Sequence, residues 1–238
     1  EGGRTMKSHA FFVWIAMLVA FSANAQMEEI VVTGMRSGEY SEMPAVTIKK
    51  SADFLVQEIR LVNDSRSPEL RKKEIISTID AMLRRASSEK RIALSYGEGF
   101  LEPVELNDES LQILEDKKRT DTSTIDIFVK TTLAASDNAK ERIAELRAFI
   151  GRAQLAGRTE IEPLGDIGLS IVNPERYRYD ILAKISEENA RIVQAMGTKC
   201  RIKLGGLEGR VQWERTDVAE LTLFIPYGIE VTDCTYAP

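Results

Sequence analysis

Histidine is nearly missing from this chain of 238 residues: His9 is the only one. Cysteine is almost as scarce, with Cys200 and Cys234 alone. One imidazole excludes zinc sites built on several histidines, and two thiols are too few for a four-thiolate site. No apolar run approaches the about 20 residues that carry a helix across a bilayer. Excess positive charge is missing too, with 32 basic residues against 37 acidic ones. Such a chain has no electrostatic attraction to a phosphate backbone, so nucleic acid is not an expected partner.

The N-terminus has a pattern of its own. Arg4 and Lys7 form a short positive region, followed by the apolar stretch from Ala10 to Phe21 and then Ala23-Asn24-Ala25. A basic start, a short apolar core and a small-x-small site make an export signal. Residues 1–25 are therefore expected to be removed, leaving a mature domain over 26–238 that begins at Gln26. The mature protein would lose His9 with the signal, and Ser-His-Asp or Cys-His catalysis with it. Removing Glu1, Arg4 and Lys7 leaves 30 basic and 36 acidic residues, a net charge of −6. The expected location is the bacterial periplasm, as a soluble protein without a transmembrane anchor. The signal by itself also fits eukaryotic secretion, and Asn63-Asp64-Ser65 matches a glycosylation sequon, a three-residue pattern common by chance.

Patterning beyond the signal predicts α+β architecture, a largely antiparallel sheet with three main helices packed on it. Glu29 to Gly34 is a short β-branched strand, and Met35 to Pro44 a loop. Ala45 to Asn63 is a long strand whose apolar parity changes, which places a bend or bulge within Lys49–Asp53. Ser67-Pro68-Glu69 starts a helix by capping, fixed φ and charge. Its stripe is Leu70, Ile75, Ile79, Met82 and Leu83. Arg91–Tyr96 and Gly99–Leu106 read as a hairpin or bent strand, Asn107–Asp121 as a charged connection, and Thr122–Leu133 as a half-buried strand. A second helix opens at Ser136-Asp137 and ends at Gly151, with Ala139, Ile143, Leu146 and Ile150 inward. Thr159–Val172 is a strand bent at Pro163 or Gly165. A third helix starts at Asn173-Pro174-Glu175 and runs to Gly197 through Tyr177, Ile181, Ile185, Ile192 and Met196. Two or three strands complete the chain.

Three segments resemble the SIMPL-domain family of exported bacterial proteins. They are Ile30-Val31-Val32-Thr33-Gly34 with Met43-Pro44-Ala45; Thr124–Lys130 with the Ala139–Ile150 helix; and Ile167–Val172 with Asn173-Pro174-Glu175 and the helix after it. The chain departs from that family in a third helix with fewer alanines and in the Asn107–Asp121 insert. The resemblance implies an exported α+β protein that acts by binding or oligomeric assembly. Homo-oligomers are expected, and some members are linked to envelope or oxidative stress. It implies no catalytic residues.

A second resemblance concerns the N-terminus alone. Glu28 to Arg36 with Pro44 to Ile48 resembles the opening of TonB-dependent receptors, where such a stretch pairs with a strand of TonB. Glu29, Ile30, Val31, Val32, Thr33 and Gly34 would be that partner strand, and the protein an accessory to TonB-dependent uptake. The likeness ends at Ile48, and the plugged barrel of such receptors, about 22 strands, does not fit in 213 residues. The reading as an ordinary first strand is preferred.

No residue is assigned a catalytic, cofactor or metal role. A hydrolase using carboxylate, serine or lysine remains the alternative to a binding protein. Glu98, Glu102, Glu105, Asp108 and Glu109 lack the spacing of a calcium loop. Gly205 to Gly209 lacks the following helix that a phosphate cradle needs. Lys117-Lys118-Arg119 is balanced by neighbouring acids. Trp213 and Tyr227 read as packing. Cys200 and Cys234 are a candidate disulfide in an oxidising compartment. Strand register pairs Trp213 with Leu221, Val211 with Leu223, Gly206 with Gly228, and Cys200 with Cys234. Ile202 and Leu204 are even while Ile229 and Val231 are odd, so the alternative is a bulge that shifts the register by one and turns the thiols apart.

Overall fold

The computed structural model describes residues 29–32, 43–97, 101–117, 119–196 and 199–235. The expected export signal, Thr33, Gly34, Glu98 and Lys118 lie outside them. The fold is α+β, with an antiparallel sheet and three α-helices.

The centre of the main sheet is three long strands, β3 (Phe54–Asn63), β7 (Ser123–Thr132) and β8 (Thr159–Val172). β1 (Glu29–Val32) closes one side on β8. β4 (Ile92–Tyr96) and β5 (Glu102–Pro103) extend the other side from β7, and β6 (Leu114–Glu115) also pairs with β7. Strand alternation sorts the two faces. Leu55, Ile59 and Leu61 of β3, with Ile125, Ile127 and Val129 of β7, are 0–3% exposed. Over that face lie α1 (Pro68–Glu89) and α2 (Ala139–Gly151), which bury Ile75, Ile79, Met82, Leu146 and Phe149. Arg85 joins the two helices by donating to the carbonyls of Phe149 and Arg152. The opposite face carries Glu58, Arg60, Asp126 and Phe128, all partly exposed.

The bend foreseen within Lys49–Asp53 divides β2 (Ile48–Ser51) from β3 at Ala52 and Asp53. Asp53 fixes it by accepting from the Val172 N–H at 2.8 Å and pairing with Arg176. Past the bend, β2 joins β11 (Glu220–Phe224) and β10 (Gln212–Arg215) in a second, small sheet. Leu221 and Leu223 of that sheet, and Ile181 and Ile185 of α3 (Arg178–Met196), enter the same apolar cluster as the main sheet. The last pair, β9 (Lys199–Gly205) and β12 (Gly228–Thr235), stands as a two-stranded ribbon.

Several details differ from the sequence expectation. The third helix does not begin at Asn173-Pro174-Glu175. Asn173 adopts a left-handed conformation (φ 48°) without a capping bond, and Pro174–Tyr177 is a 3-10 turn before α3. The second helix is capped by Asn138, not Ser136 or Asp137, because the Asp137 carboxylate is taken by the Ala134 N–H. Leu70 and Met196 are exposed rather than inward, each lying within one turn of a helix end. The Asn107–Asp121 connection is not purely solvated: Leu111 is buried and Leu114–Glu115 adds a short strand. The carboxylate of Asp80 secures this connection by accepting from the Asn107 N–H.

Register at the C-terminus is corrected as well. Trp213 faces Leu223, and Arg215 faces Leu221, a shift of two residues from the expected alignment. Gly228 faces Gly205, not Gly206. Gly206 instead turns the chain at φ +86°, where an added Cβ would come within 2.8 Å of the Pro226 carbonyl oxygen. Arg178 holds this turn through the carbonyls of Leu207 and Gly209, and Glu175 accepts from the Val211 N–H. The glycine-rich stretch is thus a bend tied to the start of α3.

Candidate functional site

The helix-free face of the main sheet holds a concavity of about 900 Å³. Its floor is strands β3 and β7, and its wall is the connection from Gln112 to Lys117. Register places Arg60 opposite Asp126 and Glu58 opposite Phe128. Arg60 donates from Nε and Nη2 to the two oxygens of Asp126, both at 2.7 Å. This fork-to-carboxylate geometry fixes both side chains. Across the other strand boundary Arg60 faces Glu162, so the cation stands between two acids. Burial pushes the Glu58 carboxyl above its ordinary range, and the Asp126 charge adds to this while Arg60 opposes it. A carboxyl displaced in this way beside a second acid is the pattern of acid–base sites, and of structural charge networks too.

Farther along the same face, Glu29 and Lys130 form an ion pair, both less than a tenth exposed. Ser170 donates to Glu29 at 2.6 Å, and the Lys130 ammonium lies 4.6 Å from the Phe54 ring centroid. Ion pairs this deeply buried need such extra partners. This contact ties β1 to the sheet. Of the six-residue partner segment, Glu29, Ile30, Val31 and Val32 are paired with Val172, Ile171, Ser170 and Leu169. Thr33 and Gly34 lie outside the described residues.

Cys200 and Cys234 are joined by a disulfide, with Cα atoms 4.0 Å apart. It sits where the β9–β12 pairing shifts between Thr232 and Thr235, so the link depends on an irregularity and not on the continuous register expected. On the ribbon, Ile202 and Leu204 face Val231 and Ile229. That face is only half covered, with Ile229 39% and Val231 40% exposed. The opposite face carries Lys203 paired with Glu230.

The remaining singled-out residues do not converge. Glu102, Glu105 and Glu109 are exposed and apart from the concavity. Trp213 and Tyr227 pack against the apolar cluster. Asn63 of the sequon is fully buried, its amide donating to Glu74 and Thr159, so it presents no acceptor for a glycan. Among the described residues, no group of three His, Cys, Asp or Glu side chains is placed to hold a metal. Among the same residues no helix is long and apolar enough to cross a membrane. Sequence reasoning missed Glu58, Arg60 and Asp126. The signal was there: three charges occupy the solvent parity of two strands whose alternate positions are apolar.

What the fold defines is an α+β protein with an open sheet face and a disulfide-closed ribbon. No protein-family model matches the chain, and no curated protein or solved structure matches it significantly.

Proposed function

We propose that this is an exported, SIMPL-like protein of the bacterial periplasm that works by binding and self-assembly, in the setting of envelope or oxidative stress. The observation that carries the reading is the ribbon. Two strands by themselves are marginal in water, and although Leu204 packs against the core, the half-exposed face of Ile229 and Val231 invites a partner. The Cys200–Cys234 bond supports an oxidising compartment. A second copy of the chain would cover Ile229 and Val231. Light scattering on the mature protein tests this. An oligomer that falls to monomer in the Ile229→Lys, Val231→Lys double variant is expected, and a monomeric wild type overturns the assembly reading.

One observation favours a second reading, a hydrolase working with carboxylates. Glu58, raised by burial, stands beside Asp126 in the concavity of the open sheet face. The clamp from Arg60 weighs against it, since both Asp126 oxygens are already engaged. Any hydrolytic activity that survives Glu58→Gln would remove this reading. The TonB accessory reading needs the outer edge of β1, because the inner edge is taken by β8.

A further inference from the structure

On the helix side of the sheet, a second cavity of about 410 Å³ lies between the end of α2 and strand β8. It exists because the sheet is interrupted. Between Val56 and Glu58 the β8 partner jumps from Gly168 to Leu164, so two steps along β3 match four along β8. Gly165, at φ +59°, makes the excursion. Gln57 occupies the gap and is 3% exposed. Its amide nitrogen donates to the carbonyls of Glu58 (3.0 Å) and Leu164 (2.9 Å). Two carbonyl acceptors fix which end of the amide is nitrogen. The Oε1 is thereby left toward the cavity, and it accepts no hydrogen bond among the described residues. Oε1 is not sealed off: the open cleft reaches it, so water or a ligand N–H can supply the donor. At the mouth stands Arg147, exposed, with no ion pair or hydrogen bond among the described residues. Between these two polar groups the lining is apolar: Ile150, Ile161, Pro163 and Leu155.

We infer that this cavity binds a small apolar amino acid or dipeptide, its N–H donor on Gln57 Oε1 and its carboxylate on Arg147. The volume falls in the range of small-molecule sites, about 300–1,000 Å³, and apolar walls with few convergent polar groups are their usual composition. Arginine matches a carboxylate bidentately, and the ligand's apolar body displaces water from the walls. This site is separate from the concavity with Glu58 and from the ribbon, so it stands or falls independently of the assembly reading.

Calorimetric titration of the mature protein with L-leucyl-L-leucine and with its C-terminal amide is the test. Saturable binding of the free acid is expected, about tenfold or more tighter than the amide. Arg147→Gln should equalise the two ligands; it removes an exposed, unpaired side chain, so the fold is unaffected. Gly151→Leu should abolish binding of both. An added Cβ at Gly151 meets nothing within 4 Å, so the longer side chain can occupy the cavity without a clash. No saturable binding of either probe at millimolar concentration overturns the inference. So does free-acid binding that is unchanged in both variants.

Discussion

The helix-covered core and the terminal ribbon are built on opposite principles. In the core, Leu55, Ile59, Leu61, Ile127, Val129 and Phe149 are at most 1% exposed, and two helices shield one face of the sheet. Burial of apolar surface is what holds such a region. The ribbon has two strands and a half-covered face, and its closure is covalent. A covalent link acts mainly on the unfolded chain, whereas packing acts on the folded one. The two regions should therefore respond to different perturbations.

The largest effect should come from the core. Phe149→Ala removes a ring that packs on the sheet and under the Arg85 guanidinium, 4.5 Å from its centroid. A loss of about 3–5 kcal/mol is expected from urea denaturation. A loss below about 1 kcal/mol would mean that the core is not close-packed around α2.

Next comes the link. Cys200→Ser opens a loop of sequence separation 34 that contains β10 and β11. The loop-entropy model gives about 3–4 kcal/mol. Because Leu221 and Leu223 lie inside that loop and in the core, the loss should appear in global unfolding. Hydrogen exchange in native buffer should speed up most across residues 199–205 and 228–235, beyond the increase that lower global stability gives the core amides. An increase in β3 and β7 as large as that in the ribbon would break the distinction between the regions.

How far the sequence disclosed these regions follows from the range of the forces. Alternation in Thr124–Lys130 and the apolar stripe of α1 report one-sided burial, so strands and helices were legible. The bend at Ala52-Asp53 was legible as a parity change, since a strand that turns presents its other face. Register at the C-terminus was not. It is set by how the Gly206 turn docks on Arg178 and Glu175, contacts that join residues about thirty positions apart. The same holds for Gln57. A lone polar residue at the inward parity of Leu55, Ile59 and Leu61 was visible, but its reason is a bulge in a strand over 100 residues away.

A smaller, pH-dependent effect sharpens the picture at the junction of β3, α1 and the chain before β8. Hydrogen bonds from Ser65 and Asn63, then from the Arg158 N–H, hold the Glu74 carboxyl below its ordinary value of 4.5. Its folded pKa is depressed, so its contribution to stability is present above about pH 4.5 and lost as pH falls through the lower folded value. Glu74→Gln should lower the melting temperature at neutral pH and flatten its fall between pH 4.5 and more acidic values. An unchanged acid limb would show that other carboxylates dominate.

The smallest effect tests the interruption between β3 and β8 in the core sheet. At Gly165 an added Cβ meets nothing within 4 Å, so space is no obstacle, but φ is +59°. L-residues pay roughly 1–2 kcal/mol for this conformation, and asparagine pays less. Gly165→Ala should therefore cost about 1 kcal/mol and Gly165→Asn about half of that. Gly151 provides the control: it also has free space around an added Cβ and its φ is not positive. Gly151→Ala should be neutral or slightly stabilising, because alanine restricts the unfolded chain and favours the helix end. If both alanine variants were equally benign, the bulge would be free to relax into regular pairing. Gln57 would then be a misplaced polar residue and not the floor of a maintained cavity.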